Sequence, residues 1–405
     1  MSSSRTFDPG LSDSVAVLPG VPALWSFSSL SAIESCPRRY VLSRATYPDL
    51  WDRSGYPDLP SAAALFGDVV HDSLEMIVRA LVDHGCSSAS SREAIAVLRK
   101  LGGYSEVASS MLAKRLTRLE VNPRLSGRVR ERLRDQLEQR IPEAREEIQY
   151  YLHRMTMTPR EVIGPGSGGR NQRYARGVGS HPEVTLQADD LRLWGRIDLL
   201  TVGQVDVDIT DYKTGTAEDS HFDQLRFYAV LWHQDSVSNG GRTPLGTLTA
   251  SYPSREVTIA APNTEQLRTL MDELSSRVTT ADRLVSADEP AARPGDQCTF
   301  CDVRPLCSAY WPTTPDPFIM KRGTWFDFEG TVVGRNGIKS WWLHDLSPRE
   351  HRLLLRTTSA HDVFEPGQHL RLLGLRRDED LDGDVAVAVL TQTSEAFVVT
   401  GASDY

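Results

Sequence analysis

Two neighbouring segments of alternating polarity, residues 191–200 and 204–213, constrain the fold of this chain more than any other feature. They read LRLWGRIDLL and QVDVDITDYK, and a short turn containing Gly203 separates them. Because successive side chains of a strand point to opposite faces of its sheet, this alternation predicts two adjacent β-strands. Residues 62–84 carry apolar side chains at helical spacing, and residues 91–157 show no strand pattern. The chain is therefore predicted to be an α/β protein.

The chain's 405 residues are enough for two or three domains. We predict a mobile polar arm over residues 1–22 and a first domain over residues 23–312, with a helical insert at about residues 91–160. A Pro-rich stretch, TTPDPF, separates this domain from a small β-rich domain over residues 318–405.

Residues 318–405 alternate in five short segments and contain one predicted helix, with Ser347 as its cap, Pro348 at its first position and Glu350 completing a capping box. Short strands of this kind predict a small β-barrel, with the OB fold as the candidate. Aromatic and basic side chains of this region have three candidate roles: core packing, stacking on a nucleic-acid strand, or docking a protein. They include Trp325, Phe326, Trp341, Trp342, Arg335, Arg371, Arg376 and Arg377.

Composition excludes several classes of protein. Contents of 40% hydrophobic and 24% charged residues exclude a wholly disordered chain. No apolar run approaches the ~18 residues of a membrane helix, and the N-terminus lacks a secretory pattern. A cytoplasmic protein without a membrane partner is therefore expected. The net charge of −9 hides a basic segment, because residues 91–180 hold 18 Lys and Arg against 10 Asp and Glu. Such a segment either faces phosphates or forms a solvated helix face.

An acid and a lysine end the second alternating segment. Asp211 and Lys213 continue the strand face of Val207 and Ile209, and antiparallel pairing would bring Asp198 of the first segment beside Asp211. Two carboxylates at ~4 Å repel unless a cation lies between them, and oxygen ligands select Mg²⁺ or Mn²⁺. A nearby lysine orients or deprotonates a water, or stabilises a transition state. The alternative is a surface salt bridge.

Three further polar residues gain meaning from their order along the chain. His71 lies in the predicted helix at 62–84, and Gln224 and Tyr228 share one face of a helix after Lys213. Each has an ordinary structural explanation when taken alone. The order His, Gly-x-x-Asp, Asp-x-Lys-Thr-Gly and Gln-x-x-x-Tyr resembles the RecB-type branch of the PD-(D/E)XK nuclease superfamily over roughly residues 24–312. The matching residues are His71, Gly195, Asp198, Asp211, Tyr212, Lys213, Thr214, Gly215, Gln224 and Tyr228.

The resemblance implies a restriction-endonuclease-like core, in which helices flank a mixed central sheet, and a metal-dependent deoxyribonuclease. It implies that Mg²⁺ or Mn²⁺ is held by His71, Asp198, Asp211 and the Tyr212 carbonyl. Lys213 would then position or activate the hydrolytic water, and Gln224 and Tyr228 would support the active site and the DNA. The family assigns no role to the helical insert.

Cysteine spacing is the second informative pattern. Cys298, Cys301 and Cys307 lie within ten residues of each other, and Cys36 lies more than 260 residues earlier. Zinc, a [4Fe–4S] cluster and free thiols remain alternatives on the residues alone. The arrangement is similar to that of the iron–sulfur nucleases of the Cas4 and AddB type. This similarity implies a [4Fe–4S] cluster on these four cysteines, which would tie the first helix to the end of the nuclease domain.

The resemblance also sets the expected biology. It implies a nuclease acting on single-stranded DNA or DNA ends, in recombination, repair or prokaryotic defence, with a helicase or another DNA-processing protein as a candidate partner. A non-catalytic DNA-binding or scaffold subunit that keeps the nuclease fold is the first alternative. An interaction module in which Asp211 and Lys213 are merely structural is the second.

Overall fold

A computed structural model of the chain describes residues 16–48, 50–159, 174–346, 351–358, 363–378 and 385–399. In these ranges the chain forms nine α-helices and eleven β-strands in two sheets, which confirms the mixed α/β class. The helices are α1 (Phe27–Ser35), α2 (Pro37–Arg44), α3 (Ala62–Asp83), α4 (Arg92–Lys100), α5 (Tyr104–Leu119), α6 (Gly127–Glu138), α7 (Ile141–Arg154), α8 (Asp219–Gln234) and α9 (Thr264–Val285).

The first sheet has the strand order β1-β2-β3-β4-β5. Strands β3 and β4 are parallel and α8 connects them, whereas the other neighbours are antiparallel. A mixed sheet with a helical crossover is compatible with a restriction-endonuclease-like fold. The strands are β1 (Gly179–Ala188), β2 (Leu193–Val202), β3 (Val207–Tyr212), β4 (Leu245–Ser251) and β5 (Glu256–Ala260).

Helices cover both faces of this sheet. Val207 and Ile209 of β3 belong to a buried cluster with α8 and α9, whereas Tyr212 belongs to a cluster with α3, α5 and α7. Odd and even positions of β3 therefore face different helical layers. Burial of each large apolar side chain contributes about 1.5–3 kcal/mol. The helices of the insert thus form, with α3, the core on one face of the sheet.

The helix is interrupted between α1 and α2. The spacing of Leu30 and Ile33 in the sequence favours one continuous helix, capped by Ser28 or Ser29, that runs through Cys36 and Pro37 to Tyr40. Instead, the cap is Ser26, whose hydroxyl accepts from the Ser29 amide at 3.1 Å in a capping box. Cys36 ends α1 with an extended backbone (φ −157°) and caps α2. The physical reason is Pro37, which has no amide hydrogen and disfavours a helical backbone at the residue before it.

The second sheet has the order β10-β8-β7-β6-β9-β11, and a further pairing of β9 with β10 closes five of its strands into a ring. It has six strands where the sequence predicts five. The predicted cap at Ser347 and the adjoining Pro348 and Glu350 lie outside the described residues. The strands are β6 (Trp325–Gly337), β7 (Ser340–Asp345), β8 (Arg352–Thr357), β9 (His369–Asp378), β10 (Ala386–Leu390) and β11 (Glu395–Val399).

Strand β8 takes the place of the helix that the sequence predicts after Ser347. It pairs with β7 on one side and β10 on the other, and Leu353 and Leu355 are buried in the core of this sheet. A short apolar run fits a helix or a buried strand equally well, so pairing with two neighbours decides the outcome. Two of the aromatic residues, Phe326 and Trp341, are core residues, whereas Trp325 is exposed.

The second sheet packs against the loop that bears Cys298, Cys301 and Cys307, here called the cysteine-bearing loop. Asp327 of β6 accepts from Arg304 Nε and from the Tyr310 hydroxyl, each at 2.7 Å. Arg371 of β9 donates to the Pro305 carbonyl at 2.8 Å. The stretch from Arg304 to Tyr310, which contains Cys307, is therefore held by side chains of the second sheet.

The predicted arm over residues 1–22 lies mostly outside the described residues. Val17 pairs with Thr46 through two backbone hydrogen bonds of 3.1 and 2.9 Å. The sequence of residues 164–179, GPGSGGRNQRYARGVG, predicts a basic loop, and much of it also falls outside the described residues. None of the helices in the described ranges is long and apolar enough to cross a membrane.

Candidate active site

Strand pairing brings the two predicted carboxylates together. Strands β2 and β3 are antiparallel, with Leu199 opposite Thr210, so the next position in the same register places Asp198 opposite Asp211. The Tyr212 amide donates to Asp198 Oδ2 at 2.6 Å. Both acids therefore lie where the β2–β3 ladder ends, as the alternating pattern predicts.

Asp211 and Lys213 form a buried ion pair. Lys213 Nζ lies 2.6 Å from Asp211 Oδ2, and the Asp211 residue is only 2% exposed. Among the described residues this oxygen makes no hydrogen bond of normal geometry. Lys213 Nζ also donates to Gln224 Oε1 at 2.7 Å. The ammonium group is thus fixed between an acid and an amide.

Burial and repulsion by Asp211 make the ionised form of Asp198 unfavourable. Burial raises the pKa of Asp198 well above its usual range, and the neighbouring Asp211 raises it further. The Tyr212 amide and Lys213 offset only part of this rise. A cation bound between the carboxylates would reverse the effect, because it favours their ionised forms.

His71 faces the same pair of strands from α3. Its Nδ1 lies 3.7 Å from Asp198 Oδ2, and its ring meets Tyr212 edge-on, with centroids 6.2 Å apart. Burial lowers the pKa of His71 below its usual range. The neutral imidazole therefore keeps a nitrogen lone pair, which is the form that binds metals.

Gln224 and Tyr228 support Lys213 from α8. The Gln224 amide nitrogen donates to the Tyr228 hydroxyl at 2.7 Å while its oxygen accepts from Lys213. Gly195 of β2 lets α8 lie close to this strand, because a Cβ at residue 195 would lie 2.8 Å from Leu231 Cδ1 and 3.0 Å from Tyr228 Cε1. The glycine of the Gly-x-x-Asp motif thus lets α8 pack on the strand that carries Asp198.

These side chains surround a cavity of about 320 Å³. His71, Asp198, Asp211, Lys213, Gln224 and Tyr228 all line it. The structure thus brings together all the residues predicted from the sequence for this site. The cavity is also lined by Thr214, Thr216, Glu218 and His221, which the sequence reasoning did not assign to the site beyond the motif match at Thr214.

Glu183 is a further acid beside the site that sequence reasoning missed. Continuing the register of β1 and β2 places it opposite Asp198, and it forms an ion pair with Arg196. Its φ of 56° is left-handed, which is rare for a side chain of this kind. Burial, and then Asp198, raise its pKa to about 8. No sequence signal marks it, because an acid within an alternating strand usually faces solvent.

The helical insert reaches the His71 helix through Arg115 of α5. Its guanidinium donates to both carboxylate oxygens of Asp72, at 2.7 and 2.8 Å, and to Asp68 Oδ2 at 3.0 Å. Asp68 and Asp72 flank His71 on α3. The insert, to which the family resemblance gives no role, therefore braces the helix that carries His71.

The four predicted cysteine ligands lie in neighbouring segments. Arg38, two residues after Cys36, donates to Ser308 Oγ at 3.2 Å, next to Cys307. Burial, and to a smaller extent the nearby Cys298 and Cys307, raise the pKa of Cys301 to about 11. The fifth cysteine, Cys86, is buried in the α3 cluster.

The donor set at Asp198 and Asp211 suits a hard divalent ion. Across the part of the chain that the structure describes, no three His, Cys, Asp or Glu side chains are gathered into a ready metal-binding set. The Lys213 ammonium instead pairs with Asp211. The buried Asp211 oxygen without a hydrogen bond, the two opposed carboxylates and a neutral imidazole are nevertheless the donors that Mg²⁺ or Mn²⁺ takes. Thiols are the ligands that zinc and iron–sulfur clusters take, but among the described residues the cysteines are not gathered into such a set either.

Three solved structures are similar to parts of this chain. The first is the p204 HINb domain, with 18% identity and a TM-score of 0.20, and the match covers 28% of this chain and 56% of that one. The second is SSO0001, with 19% identity and a TM-score of 0.20, and the match covers 32% of this chain and 60% of that one. The third is a murine DNA binding protein bound with double-stranded DNA, with 10% identity and a TM-score of 0.19, and the match covers 56% of this chain and 95% of that one. The chain thus spans little more than half the length of the first two. No curated protein matches it.

A family comparison agrees with the geometry of the site. The sequence model of the PD-(D/E)XK nuclease superfamily matches residues 24–308, which include His71, Asp198, Asp211 and Lys213. The matched range also contains the whole of the first sheet. This chain therefore belongs to the PD-(D/E)XK nuclease superfamily.

Proposed function

We propose that this protein is a Mg²⁺- or Mn²⁺-dependent deoxyribonuclease that hydrolyses phosphodiester bonds in single-stranded DNA or at DNA ends. The observation that carries the proposal is the convergence of Asp198, Asp211 and Lys213 at one end of the β2–β3 ladder, around an open cavity. Opposed carboxylates with an adjacent ammonium are the parts that metal-assisted phosphodiester hydrolysis needs.

Asp198, Asp211, His71 and the Tyr212 carbonyl would hold the ion. When bound, the ion supplies Lewis-acid activation of a phosphoryl oxygen and lowers the pKa of a bound water. The chain's own contribution is placement: the Tyr212 amide fixes one oxygen of Asp198, and burial keeps His71 neutral. The acids are therefore held in position before any substrate arrives.

Lys213 would orient the attacking water and stabilise developing negative charge. Its ammonium is held by Asp211 and Gln224, its amide donates to the Ser251 carbonyl at 2.8 Å, and its carbonyl accepts from the Tyr151 hydroxyl at 2.8 Å. Because both its backbone and its side chain are tied down, little rearrangement is needed to present the charge to a substrate.

The test is cleavage of labelled single- and double-stranded DNA with Mg²⁺ or Mn²⁺. We expect Lys213→Ala and Asp211→Asn to lower kcat at least about 100-fold, the usual cost of removing a preorganised electrostatic group. Lys100→Ala, an exposed lysine of α4, is the matched control and should retain full activity.

Two outcomes would contradict this proposal. Cleavage by Lys213→Ala at the wild-type rate would remove Lys213 from the site. A wild-type protein that binds DNA but cleaves it with neither metal would favour the non-catalytic DNA-binding subunit.

A [4Fe–4S] cluster on Cys36, Cys298, Cys301 and Cys307 is the second part of the proposal, and it would place the protein with the Cas4- and AddB-type nucleases. Its support is the packing of α2 against the loop that bears the other three cysteines, through Arg38 and Ser308. The cluster would act as a staple across a long stretch of chain. Iron and zinc analysis of an anaerobically purified sample checks it.

The remaining parts of the proposal concern organisation and biology. We propose a nuclease domain over residues 23–312 and an OB-like domain over residues 318–405, supported by the five-stranded ring in the second sheet. Processing of DNA in recombination, repair or defence, together with a helicase or another DNA-processing protein, fits a nuclease of this superfamily. Residues 1–22 are proposed as a polar arm.

A further inference from the structure

His221 shares the cavity and the helix face of the two residues that support Lys213. It precedes Gln224 by three residues and Tyr228 by seven, and this spacing places all three on one side of α8. Its ring lines the same cavity as Asp211 and Lys213. No step of the proposed reaction uses it.

Tyr252 fixes the orientation of the His221 ring. The Tyr252 hydroxyl lies 2.9 Å from His221 Nδ1, and the two ring centroids are 5.8 Å apart. Tyr252 is buried and directly follows β4, whose last residue, Ser251, accepts from the Lys213 amide. His221 and Lys213 are therefore anchored to the same strand end.

The contact with Tyr252 occupies Nδ1 of the His221 ring. When the Tyr252 hydroxyl donates in this contact, the proton of a neutral imidazole lies on Nε2. Burial, and then Lys213, lower the pKa of His221, which favours this neutral form. Within the described part of the chain, Nε2 makes no hydrogen bond.

The surroundings of His221 favour an anion. The ammonium of Lys213 lines the same cavity, and the first turn of α8 has no side-chain cap for its amides. Amides at a helix N-terminus and a positive charge both attract phosphate. Glu218, at the N-cap of α8, lines the cavity together with Asp198 and Asp211, so an anion is favoured there once a cation offsets these carboxylates.

We propose that His221 is a phosphate-binding residue, whose Nε2–H donates a hydrogen bond to a non-bridging oxygen of the bound DNA strand. This inference rests on the proposed nuclease function, because it assigns a substrate contact within the same site. Tyr252 is the positioning residue that holds the tautomer. His221 thus contributes to substrate affinity, while Lys213 contributes to the chemical step.

The test separates binding from cleavage. His221→Phe keeps a ring against Tyr252 but removes the N–H. In a Lys213→Ala background with Mg²⁺, we expect it to raise the Kd for a fluorescently labelled single-stranded oligonucleotide about tenfold, the usual effect of a lost hydrogen bond to a charged group. In the otherwise unchanged enzyme, KM should rise by a similar factor while kcat changes less than about twofold.

Matched variants distinguish a phosphate contact from a structural role. His233→Phe, an exposed histidine near the end of the same helix, should leave Kd and KM unchanged. His221→Asn keeps an N–H donor and should recover part of the affinity, and Tyr252→Phe should raise Kd less than His221→Phe does.

Specific results would overturn the inference. One is an unchanged Kd and KM for His221→Phe, and another is an equal loss in His221→Asn and His221→Phe. A wild-type enzyme that binds the strand without cleaving it would overturn the nuclease function but leave the binding comparison in force. A wild-type protein that neither binds nor cleaves would overturn both.

Discussion

Gly67 brings the His71 helix into contact with the loop that follows Lys213. A Cβ at this position would lie 2.9 Å from Thr214 Oγ1, closer than real Cβ atoms approach their neighbours. His71 lies one helical turn further along α3. The missing side chain at residue 67 therefore limits how closely the imidazole can approach the end of β3.

Glu147 gives a prediction about pH at the scale of a single residue. It lies on α7 one turn before Tyr151, and burial raises its pKa from 4.5 to about 6. The native state therefore binds this proton more tightly than the unfolded chain does, so the ionised group destabilises the fold above about pH 6. We expect Glu147→Gln to increase the free energy of unfolding at pH 7.5 by about 1 kcal/mol, a value reduced for partial exposure.

Urea unfolding at several pH values measures this effect. The gain from Glu147→Gln should shrink as the pH falls from 7 towards 5, because the wild-type carboxylate becomes protonated. Glu146→Gln, its exposed neighbour, is the control. A gain that is constant across this range would show that ionisation of Glu147 is not its cause.

At the scale of elements, α3 connects the insert to the site. Arg115 of α5 joins α3 at Asp68 and Asp72, and these contacts lie on either side of His71. A guanidinium that bonds both oxygens of one carboxylate is geometrically specific in a way that a lysine is not. The insert is therefore suited to holding α3 at a fixed rotation about its axis.

We expect Arg115→Met to lower the free energy of unfolding by about 1 kcal/mol, since its partners are partly exposed. Arg118→Met, an exposed position one turn later on α5, is the matched control and should change stability little. Thermal unfolding of both variants and the wild type gives the comparison. Equal melting temperatures for the two variants would mean that the ion pairs of Arg115 do not stabilise the fold.

Much of the site was predictable because its residues follow regular spacing. Alternation in 204–213 predicted that Asp211 and Lys213 would share a face, and helical spacing predicted the pairing of Gln224 with Tyr228. The break at Cys36 was missed even though Pro37 signals it. Strand β8 depends on its neighbours β7 and β10, and the left-handed Glu183 depends on tertiary packing. The sequence does not predict His221, because the motif marks only Gln224 and Tyr228 on α8.

At the scale of the whole molecule, Arg124 joins three parts of the chain. Its side chain is fully buried and bonds both oxygens of Glu395 in β11, each at 2.9 Å. It also donates to the carbonyls of Pro57, at 2.7 Å, and Asp302, at 3.0 Å. The insert therefore meets the segment around Pro57, the cysteine-bearing loop and the second sheet at one guanidinium.

We expect Arg124→Met to lower the free energy of unfolding by about 3–5 kcal/mol, because it leaves Glu395 unpaired at a buried interface. Arg322→Met removes an exposed ion pair with Asp378 and should cost less than about 0.5 kcal/mol. Urea unfolding compares the two variants. A loss for Arg124→Met no larger than that for Arg322→Met would show that the junction does not depend on this pair.

The position of the insert along the chain has a consequence for folding kinetics. His71 and Asp198 come together only across the whole of α4 to α7, so their contact closes a very long loop. Contacts between distant parts of a sequence form slowly, because the chain loses conformational entropy in closing the loop before the contacts stabilise it. The helices of the insert can pack on α3 through shorter loops. When the denatured chain refolds, DNA cleavage is therefore expected to return after most of the helical circular-dichroism signal.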